Sequence, residues 1–439
     1  MFVKRLWWMV CCALVLVACG QGDDDVGGGS PPATIPLQTL PTVLLPTAES
    51  EGVTPTATVV VPPSAVAPAT ATVMPPTATM APPTATPTRV PPLAAEKIPR
   101  ERIGIQIHLH GEDLEVIRGH LRALNVGWVK VQVSWKLYQP GPDRYDDVRW
   151  AELDALVAMA EEEGIEVLLG VAKAPEWSRG TTEADGPPLD YALFRAFTTY
   201  LAERYAGRVA AYEIWNEMNL RREWTGAPMT VEAFLPLLVA GAEGIRAGDG
   251  EAIVIAGALA PSGVDDGVVA VADVPLLERL LAAGMGTHFD GLGVHPYGWA
   301  NPPETTVAAP AAFVPSHNNH PTFFFAETMG AYRRLLAEAG YGDMPLWATE
   351  FGWGSFDGFG AAAPVGSEFM NDVDAYQQGA YLLGAFELAP EWGPLGPMVV
   401  WNLNFGPLLG PQFSESGYSL LGVDGRPRLG YYSLASLGE

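Results

Sequence analysis

The sequence predicts an α/β fold, a (β/α)8 TIM barrel in a single domain, and three observations carry that expectation. Eight short apolar runs alternate with longer helical patterns, the order that parallel βα units produce. The runs are rich in Val, Ile and Leu without regular polar alternation, as strands covered on both faces must be. From Leu93 onward 347 residues remain, a length that one large barrel accommodates.

In chain order the strand candidates are 103–108, 128–134, 166–171, 209–215, 253–258, 291–295, 345–350 and 398–402. Between them lie helical patterns such as 150–163 (WAELDALVAMAEEE) and 191–205 (YALFRAFTTYLAERY). Their apolar residues recur at three- and four-residue spacing, so each turns one stripe toward the barrel. Gly164 and Gly207 follow where C-terminal caps belong. Active sites on this fold occupy the C-terminal ends of the strands, so the residues closing each run are the ones to inspect.

The N-terminal part does not read as barrel. Lys4 and Arg5 precede an uncharged stretch from Leu6 to Ala18, shorter than the ~20 residues a bilayer span needs and typical of a signal-peptide core. It ends in Leu16-Val17-Ala18-Cys19, which resembles the lipobox of bacterial lipoproteins. That resemblance implies loss of residues 1–18 and lipidation of Cys19. Residues 19–96 read as a disordered tether rich in Pro, Thr and Ala. Its span 31–92 holds 16 prolines and three charges, Glu49, Glu51 and Arg89, so it can neither bury an apolar face nor supply a full set of backbone donors. At ~3.1 Å per residue where polyproline-like, it would hold a domain spanning 97–439 away from the membrane. The expected location is therefore extracytoplasmic and membrane-anchored.

Cysteine usage is consistent with this. Cys11, Cys12 and Cys19 are the only cysteines, and the first two would leave with the signal, which excludes an intramolecular disulfide and a thiolate metal site. The chain carries 25 basic and 50 acidic residues, a net charge of −25. Such a surface repels nucleic acid and anionic polysaccharides at long range.

Two glutamates stand out. Glu217 lies in Tyr-Glu-Ile-Trp-Asn-Glu-Met-Asn (212–219) and Glu350 in Trp-Ala-Thr-Glu-Phe-Gly-Trp (347–353), at the ends of strand candidates four and seven. Those strands face each other across a barrel mouth, so two distant residues can meet one substrate. A carboxylic acid paired with a carboxylate is what cleavage of a glycosidic bond requires. One protonates the departing oxygen while the other attacks the anomeric carbon. Glu213, two residues before Trp215, should point deeper and reads as structural.

Together these motifs resemble clan A of the glycoside hydrolases, with the cellulase-like and β-xylosidase-like families nearest in pattern, over residues 97–439. The resemblance implies that Glu217 is the acid/base and Glu350 the nucleophile of a retaining double displacement on a neutral β-linked carbohydrate, with no cofactor and no metal. It implies that Asn216 binds the 2-hydroxyl of the sugar, and that His295 and Tyr297 of Val-His-Pro-Tyr support the nucleophile. Trp401 would lie beneath the same sugar. In such a mechanism the neighbouring negative charge raises the pKa of Glu217. Two positions depart from the pattern: Met218 replaces the usual proline, and Lys130 in WVKVQVSW stands where many members carry arginine. Lysine cannot reproduce the bidentate fork of a guanidinium.

Trp135, Trp177, Trp215, Trp224, Trp299, Trp353 and Trp401 fall at or just beyond strand C-termini, where flat rings can stack on sugars. Trp135 and Trp353 are expected to join Trp401 as binding faces, and about half of the set to pack under loops. The long stretch 298–323 could wall the cleft, with His317 and His320 as loop polar residues. His108-Leu109-His110 ends strand one as in metal-dependent amidohydrolases, but that site's lysine on strand four, histidine on strand five and aspartate on strand eight are missing. Other readings are a lipid-anchored carbohydrate-binding protein on an inactive barrel, and a transglycosylase using the same glutamates. A monomer is expected.

Overall fold

The computed structural model describes residues 89–439. Eight parallel strands form its centre: β1 (Ile103–Gln106), β2 (Trp128–Ser134), β3 (Glu166–Ala172), β4 (Ala211–Ile214), β5 (Ile253–Ala256), β6 (Gly291–Val294), β7 (Leu346–Ala348) and β8 (Met398–Val400). They lie side by side in the order 7-6-5-4-3-2-1-8. The ring is completed by short contacts rather than a full ladder. Phe351 N donates to Val399 O at 3.1 Å, and Trp401 N donates to Phe351 O at 2.8 Å. The predicted (β/α)8 barrel is the observed fold.

One principal helix follows each strand: α1 (Leu114–Leu124), α2 (Asp147–Glu163), α3 (Tyr191–Arg204), α4 (Val231–Gly248), α5 (Asp273–Ala282), α6 (Phe325–Glu338), α7 (Ala375–Leu388) and α8 (Leu429–Ala435). Side-chain caps start several of them. Asp113, Asp146 and Asp190 each accept a first-turn N–H, and Asp374 forms a reciprocal box with Gln377, satisfying donors that a helix start leaves over. Gly164 closes α2 with φ 61°, the left-handed cap the sequence signals. Gly207 does not cap α3; that helix ends at Tyr205 and the glycine turns the chain two residues later.

Most strands stop short of their predicted ends. Residues such as 107, 215, 258, 295, 350 and 401 leave the ladder because the chain turns outward at the mouth. Their backbone groups bond across it instead: Ile107 N to Lys130 O at 3.0 Å, Leu403 N to Gln106 O at 2.9 Å and Glu217 N to Ala258 O at 2.9 Å.

Inside the barrel, Trp128, Leu168, Ala211, Ile255, Trp347 and Val399 form an apolar cluster, with the two tryptophans edge to face at 5.3 Å. Nearer the mouth the buried side chains turn polar, with Gln106, Lys130, Glu213 and Thr349 all withdrawn from solvent. This change of character along the barrel axis places the site. Gly293 leaves the room it needs, since a Cβ there would come within 2.8 Å of Glu213 Oε1.

The barrel's own structure begins before residue 97. Ala94 N donates to Ser436 Oγ and Ser433 Oγ to Pro92 O, both at 2.8 Å, so the end of the expected tether packs along α8. The signal segment, Cys19 and the rest of the tether lie outside the described residues.

Candidate active site

Past β4 the backbone enters the left-handed region twice, at Trp215 (φ 72°) and Glu217 (φ 43°). Such backbone strain in non-glycine residues clusters at functional sites. Here it lifts Glu217 over the barrel mouth, where only 8% of it remains exposed. Glu350 lies two residues past the end of β7 and is exposed to the same extent. His295, just past β6, links them. Its Nδ1–H donates to Glu217 Oε1 at 3.1 Å and stands 3.9 Å from Glu350 Oε2. Those two oxygens are therefore no farther apart than the sum of the two distances.

Glu350 is held from three further directions. Tyr297 OH donates to its Oε2 at 3.1 Å and Lys130 Nζ to its Oε1 at 3.3 Å. With its amide nitrogen turned toward the carboxylate, Gln106 donates to Oε1 at 3.0 Å and accepts from Trp401 Nε1 at 3.1 Å. Lys130 also reaches Glu213 Oε2 at 2.8 Å and Thr349 O at 3.1 Å. The other oxygen of Glu213 accepts from Thr349 Oγ1 at 2.7 Å and Ala258 N at 3.2 Å. Lys130 is thus a point charge shared by two carboxylates, and its ammonium has acceptors for all three protons.

The charges compensate one another. Burial opposes the Lys130 cation, but Glu213 and Glu350 outweigh it and hold its pKa up. Burial likewise opposes the Glu213 anion, and Lys130 and His295 overcome it, holding that carboxyl below the usual range. His295 is raised although buried, because Glu350 and Glu217 favour its cation. Tyr297 is pushed well up by burial and the charge on Glu350, so its hydroxyl stays a donor. Glu217 departs from expectation. Burial alone would raise it, but the His295 hydrogen bond and the Arg222 charge win and lower it to about 2. His295, expected beside the nucleophile, and Arg222, absent from the sequence argument, cause the reversal.

Several predicted positions fall elsewhere. Tyr297 contacts Glu350 as expected, whereas His295 is closer to Glu217. Trp135 is fully buried, stacked on Phe197 beneath α3, with its Nε1 satisfied by Gln139 Oε1. Trp353 is buried among Phe325, Phe351 and Tyr381 and donates to Asn301 O. Neither offers a face to a sugar, because loops at the mouth build small cores of their own around them. Trp215, Trp224 and Trp299 are buried too, and only Trp177 and Trp401 keep part of their surface. Trp401, cis-linked to Asn402, packs edge-on against Tyr297 and Tyr418. Asn216 Oδ1 is buried beside the carboxylates and has no hydrogen-bond partner among the described residues.

Trp299 in the 298–323 segment packs with Phe356, Phe359, Phe369 and Met370 into a wall that reaches Tyr297 and Tyr418. His317 stacks on Trp299, and His320 caps a short turn at Pro321. His108 packs against Phe405, and His110 turns away to Glu152 on α2 at 2.6 Å. Sequence reasoning missed Gln106 and Arg222. A buried polar residue within the apolar strand GIQIH was the available signal for Gln106. No local pattern marks Arg222.

Residues 103–379 match the family model described as Cellulase (glycosyl hydrolase family 5). Among solved structures, a family 39 glycoside hydrolase from Bacteroides cellulosilyticus WH2 is 20% identical with a TM-score of 0.58, covering 78% of this chain and 65% of that one. This chain thus spans slightly less than two thirds of that structure's length. A GH5_18 from Streptomyces cattleya in complex with GlcNAc is 16% identical with a TM-score of 0.53, covering 77% and 79%. The GH53 catalytic domain of Ignisphaera aggregans is 13% identical with a TM-score of 0.52, covering 80% and 99%. At these identities the likeness is one of fold. No curated protein matches the sequence.

Proposed function

We propose that this chain, which belongs to the cellulase family, glycosyl hydrolase family 5, is a glycosidase that cleaves a neutral β-linked poly- or oligosaccharide with retention, using Glu350 as nucleophile and Glu217 as acid/base. The meeting of both carboxyls at one histidine nitrogen is the observation that carries this reading. That shared contact keeps the facing oxygens of the two carboxyls close, which supports the ~5–5.5 Å spacing of retaining enzymes over the ~6.5–9.5 Å of inverting ones.

Glu350 attacks the anomeric carbon through a carboxylate whose two oxygens are held by Tyr297 on one side and by Lys130 and Gln106 on the other. The bond to the departing oxygen breaks as Glu217 gives it a proton, leaving a glycosyl ester on Glu350. Water then attacks the anomeric carbon of that ester, with Glu217 taking the water's proton and Glu350 leaving as carboxylate. Trp401, partly exposed at the mouth, supplies the ring on which the sugar rests, and Asn216 faces its 2-hydroxyl. The lipobox-like Leu16–Cys19 run and the proline-rich stretch support an extracytoplasmic enzyme tethered through Cys19.

Sugar release by residues 89–439 from neutral polysaccharides and aryl β-glycosides, run beside Glu217→Ala and Glu350→Ala, tests the assignment. Both variants should lose several orders of magnitude on substrates whose leaving group needs a proton. Activity untouched by either substitution would overturn the two-glutamate reading.

A further inference from the structure

Both oxygens of Glu217 are taken up by donors. His295 Nδ1–H holds Oε1 at 3.1 Å, and an Arg222 guanidinium nitrogen holds Oε2 at 2.8 Å. A carboxyl in that position is acceptor-only, and a general acid must present an O–H. His295 is fully buried, so the oxygen left to carry a proton toward a departing group is Oε2, and Arg222 already takes up one of its lone pairs.

The turn that carries the arginine is anchored independently of the Arg222 side chain. It lies in the turn Arg221–Glu223, and its neighbour Arg221 binds four backbone carbonyls, of Val268, Gly267, Trp224 and Ala227, at 2.9–3.1 Å. The Arg222 side chain itself is 29% exposed. A second acceptor waits beside it: Glu223 Oε1 stands 3.7 Å from Arg222 Nε. Glu223 is 3% exposed, and its Oε2 makes no hydrogen bond among the described residues, with Lys173 Nζ at 3.5 Å. Burial pushes Glu223 up, against the pull of Lys173 and Arg222, so it gains from a closer cation.

We propose that Arg222 is a positioning residue with two stations, on Glu217 in the empty site and on Glu223 once the leaving sugar takes its place, and that it sets the pH at which Glu217 can hold a proton. The proposal rests on Glu217 being the acid/base. The other titratable groups around Glu217 are His295 beyond β6, Glu213 on β4 with Lys130 on β2, Glu350 beyond β7, Glu223 in the turn of Arg222, and the hydroxyls of Tyr297, Tyr332 on α6 and Tyr418. Glu415 lies near enough to feel the Arg222 charge.

Two measurements on the parent, Arg222→Met and Arg222→Lys test it. Carbon-13 NMR of carboxyl-labelled glutamate, with Glu217 assigned through Glu217→Gln, follows its titration and needs no substrate. Glu217 should titrate at least one pH unit higher in Arg222→Met and stay near the parent in Arg222→Lys. The alkaline limb of kcat/KM for 4-methylumbelliferyl β-glycosides of glucose, mannose, xylose and galactose should move up equally. With 2,4-dinitrophenyl glycosides, whose leaving group needs no proton, that limb should not move. Coincident titrations in a folded Arg222→Met protein would overturn the proposal. The acid/base reading is tested separately by Glu217→Ala, which should lose the methylumbelliferyl reaction and keep the dinitrophenyl one. Undiminished methylumbelliferyl hydrolysis by Glu217→Ala would remove that reading and this proposal with it.

Discussion

Replacing Lys130 by methionine should destabilise the protein by about 3–5 kcal/mol, the usual cost of breaking a buried ion pair from one side. Methionine nearly matches the lysine stem in shape, so packing survives and charge is what changes. The lysine is 0% exposed and is the cation nearest both Glu213 and Glu350 in the floor, at 2.8 and 3.3 Å. Without it two buried carboxylates face each other across the vacated position. At ~2.1 cal/mol/K of unfolding entropy per residue over roughly 350 residues, this lowers Tm by about 4–7 °C. The pH dependence identifies the cause. Glu213 is depressed in the folded protein, so its stabilising effect is complete above the ordinary glutamate pKa of ~4.3 and is lost as pH falls through the folded value. In Lys130→Met the same carboxyl is no longer depressed and takes up a proton as the medium acidifies, relieving the uncompensated charge. Scanning calorimetry of parent and variant from pH 7.5 to pH 4 should show a Tm gap widest at neutral pH that narrows toward acid. A gap below 1 °C, or one independent of pH, would refute the claim that Lys130 is there to neutralise the two carboxylates.

Tyr297→Phe removes one donor from Glu350. A hydrogen bond to a charged group is worth ~1.5–3 kcal/mol, so kcat/KM should drop about ten- to a hundredfold with little change in Tm. Trp353→Ala empties a buried site and should cost about 3–5 kcal/mol of stability, whereas Trp401→Ala should raise KM and leave Tm nearly unchanged. An effect of Trp353→Ala on KM alone would return that residue to the binding surface. Asp273 is buried under Tyr332 and raised by burial to about 6. An acid raised on folding favours the folded state at low pH, so parent stability should fall as pH rises from about 4 to about 6. By linkage the loss is on the order of 2–3 kcal/mol. Asp273→Asn should abolish that slope in urea titrations.

Much of this protein was legible in one dimension. Eight buried runs at barrel spacing are a local signal, because a strand covered on both faces must be apolar wherever it occurs. Glu217 and Glu350 could be singled out for a related reason: charges closing such runs stand out against their surroundings. Whether a tryptophan meets solvent is not local. Trp135 and Trp401 both lie at strand ends, and only the packing of α3 and of the mouth loops makes one core and leaves the other partly open. Protonation is less local still. The state of Glu217 depends on a histidine 78 positions away and on the reach of an arginine side chain, and Lys130 finds its partners on β4 and beyond β7. Hydrophobic periodicity is a property of neighbours in sequence, so the chain alone determined the barrel. Electrostatic balance is a property of neighbours in space, and only the closed fold decided it.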